Sequence, residues 1–153
     1  MNKSALPFAI PGGVSIVLGG VVSAASAGAP SYLSAWAVAY LVLVCGVAQL
    51  VLGMGQASLA SKQPTTPLLT VQSVALNLSN AAVLLGTLVG VPVLSYVGAA
   101  LLVFALGLFI RGVRGVQGTR VQNAWLLWGF RIVVFILLVS APIGLVISHL
   151  RAA

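Results

Sequence analysis

Charged residues cut the chain into long apolar stretches. Lys3 and Lys62 enclose 58 uncharged residues, residues 63–110 contain no charge, and neither do the 19 residues 132–150. An α-helix rises about 1.5 Å per residue and a bilayer core is about 30 Å thick, so roughly 20 apolar residues cross it. Each of the first two stretches is long enough for two spans, and the last for one. As a single helix, 68–110 would be about 64 Å long, twice what the bilayer accepts, so it must turn back. Gly90-Val91-Pro92 is the breaker, because proline disfavours helical geometry at the residue before it. The pattern predicts an all-α fold, a polytopic integral membrane bundle of about five transmembrane helices at 9–29, 33–55, 68–89, 93–110 and 132–150, forming one transmembrane domain over 1–153. Between them, ASKQPTTP (60–67) reads as a solvated turn, and RGVRGVQGTRVQN (111–123) as a basic, glycine-punctuated loop.

Two readings fit the first segment, AIPGGVSIVLGGVVSAASAGA. As a retained span, it would use Gly12, Gly13, Gly19 and Gly20 to admit a neighbouring helix closely, since small residues drive packing in lipid. As a cleaved signal peptide, it would have Lys3 as a minimal basic region and Ala25-Ser26-Ala27 as its cleavage site, leaving four spans. In the second segment, Tyr32, Trp36 and Tyr40 cluster at one end like an interfacial aromatic belt. In the last, Pro142 and Gly144 are expected to kink or loosen the helix.

Composition sharpens the picture: 61% of residues are hydrophobic and 5% charged, against roughly a quarter charged in soluble domains. The seven Lys and Arg residues face no Asp or Glu. Their partners therefore lie outside the chain's side chains, in anionic membrane lipids, helix carbonyls, another membrane protein or a second copy of this chain. A nucleic-acid binder would gather its cations on a solvated fold among stacking aromatics, whereas these flank apolar segments, so no nucleic-acid partner is expected. Counted over short loops, Lys3, Lys62, Arg111, Arg114 and Arg120 fall on one side and Arg151 on the other. That predicts a multi-pass membrane protein with its N-terminus cytoplasmic and its C-terminus outside.

Arg111, Arg114, Arg120 and Arg131 are candidate contacts for lipid phosphate or another anion. Arg131 raises a question of its own, because it interrupts the run AWLLWGFRIVVF (124–135). The 19 residues beyond it suffice to span the hydrocarbon. It then sits at the interface and reaches lipid phosphates while Trp125 and Trp128 lie at headgroup depth. The alternative turns it inward, onto an anionic ligand or a partner's carboxylate.

Polar residues inside the spans form a second set of candidates. Ala35, Ala39, Val42, Gly46, Gln49, Gly53 and Gln56 recur at spacings of four and three, which places them on one side of a helix. Ser73, Asn77, Asn80, Leu84 and Thr87 make a similar line in the third segment. Amides facing lipid are costly, so both lines are expected to point into the bundle. There, Gln49, Gln56, Ser73, Asn77, Asn80 and Thr87 either hydrogen-bond across helices, at roughly 0.6–2 kcal/mol each, or line a path for a small solute.

Missing groups exclude whole classes of chemistry. Without a carboxylate side chain there is no acidic proton relay, no carboxylate general acid or base, and no magnesium or calcium cage. The single cysteine, Cys45, excludes an internal disulfide, a CxxC pair and a cysteine zinc site. His149, near the end of the last span, lacks the axial partner that haem ligation would need. P-loop, HExxH and GxSxG patterns are absent. No enzymatic activity, metal or cofactor is expected.

The runs AWAVAYLVLVCGVAQLVLGMGQ, NAAVLLGTLVGVPVL and LLVFALGLFIRGVRG resemble those of small multi-span membrane proteins of unassigned function from high-GC actinobacteria. The resemblance covers most of the chain, implies a bacterial cytoplasmic membrane, and brings no catalytic residue with it. The functional expectation is a non-enzymatic structural or accessory component of a membrane protein assembly. The alternative is a small oligomeric transporter or channel-like protein with an amide-lined path.

Overall fold

A computed structural model describes residues 3–60, 64–113 and 124–152, with side chains of the last helix described through Ser140 and at Ile143. Four helices are long and apolar enough to cross a membrane: α1 (Lys3–Ser26), α2 (Tyr32–Leu59), α3 (Thr66–Leu88) and α4 (Pro92–Val113). A fifth, α5 (Ala124–Ala152), carries the apolar stretch Ala124–Ser140. Among the described residues there is no strand. The fold is an all-α bundle, that of a multi-pass membrane protein.

Local chemistry sets the helix ends. Ser31 caps α2: its Oγ accepts from Ser34 N at 3.1 Å, and Ser34 Oγ accepts from Ser31 N at 3.0 Å, a reciprocal capping box. Pro67 occupies the first turn of α3, where a missing N–H costs nothing. Between α3 and α4 the turn falls at Gly90, Val91 and Pro92. Gly90 adopts φ 68°, Val91 N donates back to Gly86 O at 2.9 Å, and Pro92 opens α4. That is a glycine-terminated Schellman stop followed by a proline start.

Three helices depart from simple α geometry or from the expected bounds, the first being α1, which runs Lys3–Ser26 rather than 9–29. Over Tyr40–Ala48, α2 relaxes to i→i+5 hydrogen bonding, a rare arrangement that widens the turn. Meanwhile α5 begins at Ala124, upstream of the expected start at 132, because the helix continues past Arg131 through Trp128 and Trp125. Its backbone stays helical through Pro142 and Gly144.

The helices alternate in direction. The start of α1, the end of α2, the start of α3, the end of α4 and the start of α5 gather at one end of the bundle. This basic end carries Lys3 and Arg111. The part of the core that lies there is built on Phe8, Leu52, Leu59, Leu69, Leu106, Phe109 and Phe130. Phe8 and Phe109 meet at 5.1 Å between ring centroids, tilted 58°.

Glycines set the closest approaches. On α1, a Cβ at Gly12 would lie 3.2 Å from Gly46 O, and one at Gly19 would strike Val42, while Gly13 and Gly20 face open space. A Cβ at Gly53 would lie 2.5 Å from Phe8 Cβ. Gly86 and Gly98 play the same part between α3 and α4, against Ser95 and Val83. Lipid offers helices no hydrophobic drive to associate, so such van der Waals fit carries the assembly.

Candidate functional site

Gln49, Gln56 and Gln72 are 0%, 1% and 0% exposed, a degree of burial that is unusual for uncharged amides and expensive unless they are hydrogen-bonded. Taking α2 back from Leu59, Gln56 lies about 5 Å and Gln49 about 15 Å from the basic end. Counting along α3 from Thr66, Gln72 lies about 9 Å and the buried Asn80 about 21 Å inward. The four amides therefore form a file through the interior, from the basic end past mid-depth.

Few of their polar atoms are paired. Gln72 Nε2 donates to Leu108 O at 3.1 Å, and Asn80 Oδ1 accepts a long bond, 3.3 Å, from the Tyr40 hydroxyl, whose ring stacks on Trp36. Both polar atoms of Gln49 and of Gln56, together with Gln72 Oε1 and Asn80 Nδ2, are buried without a protein partner. Each such group left dry costs roughly 1–3 kcal/mol.

The rest of the third-segment line behaves differently. Ser73 and Asn77 lie on the flank of α3, and Asn77 Nδ2 donates to Ser73 O at 2.8 Å on its own helix. Thr87 Oγ1 likewise turns back to Val83 O at 2.8 Å. Ser73 has a specific task instead. Pro11, inside α1, has no N–H to give to the carbonyl four residues earlier, which is Pro7 O, and Ser73 Oγ donates to that oxygen at 2.7 Å. A side chain of α3 thus repairs the proline gap of α1, as membrane interiors require. The inward face of α3 is Leu69, Gln72, Ala75, Leu76, Ser79, Asn80 and Gly86. Ser79 Oγ ties that face to Gly98 O of α4 at 2.8 Å.

Sequence reasoning brought Gln49, Gln56 and Asn80 to this interior and passed over Gln72 and Ser79. Of the second-segment line, Val42, Gly46, Gln49, Gly53 and Gln56 turn inward, while Ala35 and Ala39 are exposed. The widened turns over Tyr40–Ala48 begin where the line passes from exposed to inward. Cys45 is buried within those turns.

Of the arginines, Arg111 and Arg131 are both exposed, and Arg114 and Arg120 lie outside the described residues. The buried face of the described part of α5 is Phe130, Val134 and Leu137, so Arg131 points away from the bundle among Trp128, Ile132 and Phe135. A Cβ at Gly55 would lie 2.8 Å from Phe130 Cδ2. That sets Arg131 near the level of Gly55, about 6 Å from the basic end of α2, a depth that an arginine stem covers. Arg111 lies at a similar depth, since its neighbour Gly112 packs on Gln56. Among the described residues no three His, Cys, Asp or Glu side chains gather into a metal site. The His149 side chain lies outside the description.

Comparison with protein-family models, with curated proteins and with solved structures finds no match.

Proposed function

We propose that this chain is a non-enzymatic structural or accessory component of a membrane protein assembly. The observation that carries the reading is the outward face of α5. Trp125, Trp128, Ile132 and Phe135 are 74%, 63%, 52% and 66% exposed, and Arg131 stands among them in a chain with no acidic side chain to meet it. Inside, Gln49, Gln56, Gln72 and Asn80 are buried by the helix packing and are not reached from the surface. What the protein presents to other molecules is therefore its periphery, to anionic lipids and to other membrane proteins or its own copies.

The cation count over short loops supports the basic end facing the cytoplasm and the C-terminus outside, and the resemblance suggests a bacterial cytoplasmic membrane. Full burial of Phe8 against Gly53 and Phe109 supports α1 as a retained span. Photo-crosslinking from Phe135 and Ile136 in living cells tests the function. Saturation onto one discrete membrane protein is expected, and adducts to lipid alone would overturn it.

The unpartnered amide file favours a second reading, a small oligomeric transporter or channel-like protein in which Gln56, Gln72, Gln49 and Asn80 line a path in an opened state. Solute flux in liposomes that is lost on Gln49→Leu would support it.

A further inference from the structure

The amides of Gln56 and Gln72 converge over one glycine. A Cβ on Gly112 would collide with Gln56 Nε2 and would lie 3.3 Å from Gln56 Cδ and 3.4 Å from Gln72 Nε2. The two carboxamides therefore occupy the space that any other residue at 112 would fill. Gln72 is anchored on its nitrogen side by Leu108 O, which turns its Oε1 into a fixed acceptor. Gln56 Nε2 and Oε1 and Gln72 Oε1 have no protein partner and are sealed from the surface.

We infer that Gln56 and Gln72 form a binding site, at the basic end of the bundle, for a small neutral molecule that both donates and accepts hydrogen bonds. The chemistry selects that class. The two carboxamides leave one donor nitrogen and two acceptor oxygens without a protein partner, so a ligand with donors only or acceptors only would leave a group unpaired. A cation would meet no negative side chain, and an anion would meet two acceptor oxygens. Water fits: it accepts from Gln56 Nε2 and donates to Gln72 Oε1 and Gln56 Oε1, within the two to four bonds that buried waters make. A small neutral solute such as a urea or a primary amide would satisfy the same atoms. The site does not depend on either functional reading, since it needs only the closed packing.

The test uses the full chain in nanodiscs. In the wild type, X-ray hydroxyl-radical labelling, which arises from ordered water in place, is expected at Phe109 and Leu108 above the level of other core residues. Gln56→Met keeps the length and volume of the side chain while removing its polar atoms. If the site is occupied, this variant lowers Tm by a few degrees and abolishes the labelling, because the ligand and Gln72 Oε1 lose their partner. Absence of labelling together with a neutral compound released in stoichiometric amount on denaturation, and found by mass spectrometry, would identify a solute rather than water as the occupant. A dry site gives the opposite result: no labelling, no released compound, and a Tm that rises with Gln56→Met as an unpaired amide is removed. Any one wild-type sample lacking both labelling and a released compound overturns the inference, whether or not the variant folds.

Discussion

Gly53→Ala adds a single methyl group where α2 crosses α1, and its cost follows from the geometry. The new Cβ would lie 2.5 Å from Phe8 Cβ, 2.8 Å from Cγ and 2.9 Å from Cδ2, about 1 Å short of the 3.5–4.0 Å optimum for carbon pairs. A flexible side-chain tip would yield, but Phe8 Cβ is fixed to its backbone, and the ring is fully buried against Phe109. Relief therefore requires α1 to move away from α2, at the overpacking cost of about 1–3 kcal/mol. This exceeds the gain of about 1 kcal/mol from replacing glycine by alanine within a helix. Gly20→Ala in α1 is the matched control: its Cβ meets nothing within 4 Å, so only the helix gain applies. Equilibrium unfolding in mixed micelles of increasing SDS fraction reads both. Gly53→Ala should be less stable than wild type and Gly20→Ala equal to it or more stable. Equal behaviour of the two variants would refute the claim that glycine contacts hold α1 on α2.

Arg131→Lys should leave assembly and melting in anionic-lipid nanodiscs near wild type, since a phosphate at the interface needs a cation on a flexible stem, while Arg131→Ala should weaken both. A loss with lysine as large as with alanine would mean a bidentate clamp on a partner's carboxylate. Ser79→Ala should destabilise the bundle by roughly 1 kcal/mol through the lost bond to Gly98 O, whereas Asn77→Leu should be nearly neutral because Asn77 bonds its own helix; unfolding that ranks them the other way would contradict the assignment of the inward face. In a background lacking Cys45, a cysteine at Thr65 should be shielded from an impermeant thiol reagent in intact cells and one at Ala29 should react, and the reverse pattern would invert the orientation.

The spans were legible because apolar length is set by the bilayer, and the α3–α4 turn because glycine followed by proline is a local stop. The inward face of α3 was harder to read. Ser73, Asn77 and Thr87 look like interior polar residues, yet a hydroxyl or a short amide finds a backbone carbonyl on its own helix or one next to it, as Asn77 and Thr87 do. Gln72, one position from Ser73, is the residue on the inward face. Its longer side chain reaches across to α4 and a carbonyl there, so a polar residue's type and reach say more about its direction than polarity alone. The i→i+5 segment of α2 left no mark in the sequence that distinguishes it from an ordinary apolar helix, and it begins between the exposed Ala35 and Ala39 and the inward part of the line. The pairing of Pro11 with Ser73 joins residues 62 positions apart; the proline announces a vacant carbonyl, but only the packing of α3 on α1 supplies its donor.

Native mass spectrometry of the protein released from its membrane, in a detergent mild enough to retain lipid, tests the proposed accessory role most directly. The expected spectrum contains this 15.5 kDa chain in fixed stoichiometry with a different membrane protein and retained anionic lipid. A spectrum of the chain alone, or of homo-oligomers that conduct solute when returned to liposomes, would contradict it.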